Sequence, residues 1–382
     1  MFKEGLKKLI MTTVACAAVS ASAALPQPQH IVEGIKSYEL ENGLKIVLFA
    51  DQSKPTATVN TTYLVGSRQE NYGETGMAHL LEHLMFKGSK NYPDPTREFT
   101  KRGFRMNGTT WLDRTNYFVS FTANDDNMRW ALGWSADAMV NSNIAKKDLD
   151  TEMTVVRNEY EMGENKPVSV MVKRMQGILF DWHAYGRNTI GARSDIENVP
   201  IENLQAFYHK WYQPDNAVLT VSGKFDETKV LTWITETFGK IPRPTRVLPA
   251  EWTVEPVADG PRYFEIRRPG ESQLVAVGYR IPSAIAADNN AVETAVDVLS
   301  SAPRGRLYKA LVETGMAGQV FGWAMSAKCP SFVMFGAMVK KGDDIERVKN
   351  VLIVTVENAF KKTPADETEV GLSLAEAATD FE

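Results

Sequence analysis

Two of the chain's five histidines, His79 and His83, stand four residues apart, with Glu82 directly before the second. On a helix these positions share a face, so two imidazoles and a carboxylate would project together. The residues around them, Leu80, Leu81, Leu84, Met85 and Phe86, are apolar and cover most of the helix circumference. A helix apolar nearly all round is buried, and ionisable groups inside need a partner or a metal. Two imidazoles one turn apart can share a divalent cation, and the neighbouring carboxylate can take a proton from water. The competing reading is two core histidines with a locally paired glutamate. A single histidine would favour it; a pair at one-turn spacing beside a glutamate favours the metal. Lys87 and Gly88 are expected to stop the helix.

Two histidines leave a zinc site short of a protein ligand, since catalytic zinc commonly keeps three and an open fourth position. The candidates lie in 146–163, where Glu152 and Glu159 are seven residues apart and so share a helix face. Val155 and Val156 overlap that stripe, which predicts that the face points inward. Two inward carboxylates call for a cation; the alternative is a pair of solvated surface glutamates.

These residues need a scaffold, and the pattern predicts an α+β chain of two similar domains. Each would be a mixed or antiparallel sheet packed against helices. Ser37–Leu40 and Leu44–Phe49 alternate around Asn42-Gly43, a hairpin signal. Strands are expected at 56–65, 105–111 and 115–122, the last two joined at Asp113. Helices are expected at 96–103, 125–142, 146–163, 168–183, 200–211 and 227–238, with a strand at 217–221. Residues 24–35 read as an extended lead-in, 36–245 as the metal-bearing domain and 246–261 as a charged, Pro-containing linker. From 262 the order begins again with strands at 263–267 and 274–280 and a helix at 289–299. That helix lacks histidine, so the second domain, 262–382, is expected to bind no metal.

At 382 residues two domains are the natural expectation. A net charge of −4 gives no electrostatic footprint for nucleic acid. Lys3, Lys7 and Lys8 precede an apolar run and Ala21-Ser22-Ala23, which reads 1–23 as a signal peptide and predicts export to the periplasm or beyond. The run is too short to span a bilayer, and no membrane span is expected. Cys16 faintly suggests lipid attachment, but Thr13 fits that poorly and soluble export is the better reading. With Cys16 removed, Cys329 stands alone and the fold depends on its core or a metal.

His79-Leu80-Leu81-Glu82-His83 is the inverted form of the H-E-x-x-H zinc motif. Together with the Glu152–Glu159 segment it resembles the pitrilysin/insulinase family of zinc metallopeptidases, which includes the mitochondrial processing peptidase. The chain is similar to the front portion of a long bacterial periplasmic member, which implies that its second domain is incomplete. The resemblance implies that His79, His83 and Glu159 bind Zn2+, that Glu82 is the general base, and that Glu152 orients a ligand from behind. Met106–Thr110 resembles an edge strand that pairs with substrate backbone, which implicates Asn107, Gly108, Thr109 and Thr110 in peptide binding. The implied activity is a zinc-dependent endopeptidase acting on peptides or unfolded polypeptides.

Active members add an Arg and a Tyr from a facing domain, in a segment like L-R-x-x-G-L-A-Y. Here Leu311–Gly318 carries Val312 and Gly318 at those places. The expectation is a partner half or subunit that supplies the pair; the alternative is a zinc-holding, non-catalytic peptide-binding or scaffold subunit. A metal-free structural protein is the remaining rival. His183 and His209 are expected to be structural, and Met128, Trp130, Trp134 and Met139 to be core.

Overall fold

The computed structural model describes residues 25–381, so the expected signal peptide lies outside the described residues. The chain opens with strands β1 (His30–Val32), β2 (Ile35–Glu39), β3 (Lys45–Ala50) and β4 (Thr56–Tyr63). Helices α1 (Met77–Leu84) and α2 (Pro95–Arg102) lead to strands β5 (Arg105–Thr110) and β6 (Thr115–Thr122). Five helices follow: α3 (Asp125–Asn141), α4 (Lys146–Glu164), α5 (Pro167–Leu179), α6 (Arg193–Asn198) and α7 (Ile201–Trp211). Strand β7 (Ala217–Gly223) and helix α8 (Glu227–Thr237) complete the first unit.

Its sheet runs β1-β2-β3-β7-β4-β6-β5, antiparallel except where β3 meets β7. Alternation decides which face is covered. Val59, Tyr63, Tyr117, Val119, Leu219 and Val221 are buried towards the helices, whereas Thr58, Asn60, Asn116 and Thr220 stand half-exposed on the other face. That is the pattern of a sheet covered on one side only. The metal-motif helix α1 is packed within this helical layer, touching β5, β6, α4 and α7.

The second unit has strands β8 (Ser272–Ile281), β9 (Gln319–Ala324) and β10 (Ser331–Lys340), in the order β8-β10-β9. Helices α9 (Asn289–Ser300) and α10 (Ile345–Asn358) cover one face, and α11 (Glu367–Phe381) packs on α9. β10 is apolar almost without interruption and buried on both faces, because α5 and its neighbours from the first unit close the far side. Met175, Phe180 and Tyr185 meet Met325, Phe332 and Met334 there. No helix among the described residues is long and apolar enough to cross a membrane.

Several expectations need correction. Residues 263–267 join no strand; a groove of about 1300 Å³, lined by this segment and by β8, lies where a ladder would form. Helix α5 ends at Leu179 rather than 183. Glu255 accepts the N–H groups of Asp181, Trp182 and His183 at 2.6, 3.0 and 2.8 Å and draws the chain off the helix axis. Helix α1 ends at Leu84, before Lys87 and Gly88, as the chain turns so that Ser89 and Asn91 bond to buried Asp137. Val155 is exposed although Val156 is fully buried, so the inward stripe of α4 is narrower than its sequence suggests. Met128, Trp134 and Met139 are core, and Trp130 packs against them half-buried.

Candidate metal centre

Helix α1 buries Met77, Ala78, Leu80, Leu81 and Leu84 and turns its remaining face towards α4. On that face the His79 and His83 Nε2 atoms approach to 3.4 Å. Glu159 reaches across from α4, its Oε2 lying 3.3 Å from His79 Nε2 and 3.5 Å from His83 Nε2. Three potential ligand atoms thus form a nearly equilateral triangle.

Zinc–nitrogen and zinc–oxygen bonds of roughly 2.0–2.2 Å in tetrahedral geometry require ligand atoms separated by about 3.3–3.5 Å. The observed edges match. Two imidazole nitrogens facing one another beside a carboxylate, without a cation, would leave acceptors opposed, so the donor set itself fits a divalent metal. The same three residues are the set among the described residues able to hold an ion.

The surroundings orient these groups. Glu152 Oε2 lies 3.1 Å from His83 Nδ1, which keeps the proton on Nδ1 and the Nε2 lone pair free. Its other oxygen pairs with Lys87. Burial acts to raise the Glu152 carboxyl, but hydrogen bonds from Lys87 and His83 outweigh it and hold the group below its ordinary range. The His79 ring, together with His83, holds Glu159 below its ordinary range against a smaller desolvation effect. His79 Nδ1 is buried without a partner. The Glu159 side chain keeps 41% of its exposure, against 14–16% for the two histidines, so the triangle opens to solvent on the α4 side.

Glu82 points from α1 towards β5, where its Oε2 accepts from the Thr110 hydroxyl at 2.6 Å. Gly108 lies directly against it: a Cβ there would come within 2.8 Å of Glu82 Cγ. Thr110 therefore turns its side chain to the helix rather than outward. β5 is the outer strand of the sheet, with Asn107 and Thr109 exposed beside its free edge. The Gly108 N–H is held by Asn107 Oδ1 at 2.9 Å.

Sequence spacing did not reveal Lys87 as the partner of Glu152, although its position one turn beyond His83 was a usable signal. It missed Glu70 as well, which binds the start of α1 from outside any helical repeat. His183 accepts from Tyr185 N through Nδ1, and His209 is exposed on α7; neither approaches the triangle.

The chain is similar to known proteins over most of its length. The model of the Insulinase family (Peptidase family M16) matches residues 45–193, and that of the Peptidase M16 inactive domain matches 198–372. The zinc protease PqqE of Helicobacter pylori is 27% identical over 386 residues, spanning 99% of this chain and 84% of that protein. The crystal structure of a protease from Helicobacter pylori superposes with a TM-score of 0.85 at 26% identity, over 94% of this chain and 85% of that one. The periplasmic protease PqqL from Escherichia coli shares the fold, with a TM-score of 0.70 at 19% identity over 93% of this chain but only 40% of its own. Two models of one peptidase family fall in order along the chain and together match most of its length, and on that ground the chain belongs to the insulinase family, peptidase family M16.

Proposed function

We propose that the chain is the zinc-bearing part of an endopeptidase that hydrolyses peptides or unfolded polypeptides. The observation that carries this reading is the triangle of His79, His83 and Glu159 with Glu82, from the same helix as the histidines, held against the neighbouring edge strand. His79, His83 and Glu159 would hold the zinc, and Glu152 would fix His83 from behind. Zinc held there supplies a Lewis acid that polarises a peptide carbonyl and makes water acidic enough to deprotonate near neutral pH. Glu82 takes the water proton and returns it to the leaving amine. Thr110 holds Oε2 and leaves Oε1 without a hydrogen bond among the described residues, available to a proton.

A peptide would add to β5 as a further strand, with main-chain hydrogen bonds giving affinity and little sequence preference. It must first displace Asn107 from the Gly108 N–H. The expected Glu82→Gln variant keeps zinc but loses about 10²–10⁴-fold in turnover of a quenched peptide. Undiminished turnover in that variant would remove Glu82 from the base role.

One observation favours a second reading, a zinc-holding subunit without activity of its own. Val312 and Gly318 offer neither guanidinium nor phenol where the family resemblance places them, and the second matched model is named for an inactive domain. Intact Glu82 speaks for catalysis, with a partner half supplying the Arg/Tyr pair. Peptide hydrolysis by the chain alone, then with an Arg/Tyr-bearing half added, separates the two. The signal-like 1–23 segment and the periplasmic PqqL relative support a periplasmic or exported location.

A further inference from the structure

Helix α1 carries His79, Glu82 and His83 yet has no cap of its own. Its N-cap residue, Gly76, is left-handed (φ 94°) and offers no side chain. None would fit, because a Cβ there would lie 2.7 Å from the Ile190 carbonyl oxygen. The N–H groups that a cap would normally satisfy are met from the preceding loop. Glu70 Oε2 accepts from Gly76 N at 2.8 Å, and Oε1 accepts from Ala78 N at 2.8 Å.

Glu70 is only 2% exposed. Burial pushes its carboxyl up to about 8, against the pull of both N–H bonds and of Arg187. A buried acid is an unfavourable way to cap a helix unless its reach is needed. Here it spans two donors, and the second belongs to the residue directly before His79.

We propose that Glu70 is a positioning residue of the metal centre, fixing the axis and rotation of α1 so that His79 and His83 meet a ligand from another helix. The inference rests on the zinc reading above. Glu159 comes from α4, so the 3.3 and 3.5 Å edges of the triangle hold only while α1 keeps its rotation against α4. Tolerances of about 0.5 Å and 10–20° apply to such sites. The loop carrying Glu70 is itself tied down. Thr75 donates from N and Oγ1 to Asp195 at 3.1 and 2.7 Å and accepts from Ala192 N at 2.8 Å.

The test compares the full wild-type chain with Glu70→Gln and Glu70→Asp. Each is stripped of metal, melted, and then titrated with zinc against a chromophoric chelator. Glu70→Gln sets an NH2 group against one of the two N–H donors. Its zinc affinity is expected to fall by about 10–100-fold, beyond what the lower metal-free melt from one unsatisfied N–H accounts for. Glu70→Asp keeps a carboxyl group at shorter reach and should recover part of the affinity. Unchanged zinc affinity in folded Glu70→Gln, or in folded Glu70→Asp should the first not fold, overturns the proposal. A fall in apparent affinity that merely tracks the lost folded fraction overturns it too, leaving Glu70 a structural cap. A wild-type chain that takes up no zinc removes the zinc reading and this inference with it, so the wild-type titration distinguishes the two failures.

Discussion

His83 is engaged at both ring nitrogens, whereas His79 is engaged at one. Glu152 fixes the Nδ1 side of His83, and Lys87 holds Glu152 in turn. That chain of contacts sets the tautomer and aim of one imidazole and raises its basicity as a ligand. Truncation by Glu152→Ala is therefore expected to weaken zinc binding about 10–100-fold, read by chelator competition. Glu82 hydrolytic function should suffer only in proportion to zinc lost. An unaltered affinity would assign Glu152 to packing alone. The position of Glu152 on the same face as Glu159 was legible from their spacing, because two helical turns return a side chain to nearly the same direction. Its partner Lys87 was not, because the sequence assigns that lysine to a helix end and the helix stops three residues earlier.

At the scale of elements, the site depends on how closely β5 lies on α1. Gly108 permits the approach, and Thr110 uses it to hold the Glu82 carboxylate. In Gly108→Ala the new methyl would press on Glu82 Cγ and push the proposed base away from its place. A displacement near 1 Å costs about 10²-fold in rate, so hydrolysis is expected to fall steeply while the zinc affinity stays near wild type. Equal loss of both would mean that the strand supports the metal rather than the base. The helix face and the hairpin around Asn42-Gly43 could be read from the chain because each follows from local periodicity. The close contact of Gly108 with Glu82 depends on tertiary approach, which no local period encodes. The early end of α5 has the same origin, since Glu255 terminates that helix from more than seventy residues away. Residues 263–267 alternate as a strand should, but alternation cannot say whether a neighbouring edge lies within reach.

Over the whole molecule, the two units meet across the apolar seam of Met175, Phe180, Met325 and Phe332, with ion pairs from Arg268 to Glu164 and from Arg262 to Asp181 and a polar junction at Asp113. Asp113, in the turn after β5, accepts from Arg68 Nε at 2.5 Å, from the Tyr185 hydroxyl at 2.8 Å and from Lys328 N of the second unit at 2.9 Å. Tyr185 in turn accepts from Cys329 N at 3.1 Å. The turn that ends the proposed substrate strand is thereby bonded to the turn before β10. Arg68 is 4% exposed along its side chain and would lose one of its two carboxylate partners in Asp113→Ala, keeping Glu251. Leaving such groups partly unpaired costs about 1–3 kcal/mol. Asp113→Ala is thus expected to lower the urea midpoint and to speed proteolytic cutting around 246–261, a stretch with neither helix nor strand. Zinc affinity should hold, because neither α1 nor α4 touches Asp113 through a hydrogen bond or ion pair among the described residues. Peptide turnover should drop through KM, since the far end of β5 would be free to shift away from the second unit. If cutting and midpoint stay at their wild-type values, the Asp113 junction adds nothing to the alignment of the units, which the apolar seam and the Arg262 and Arg268 ion pairs then hold by themselves.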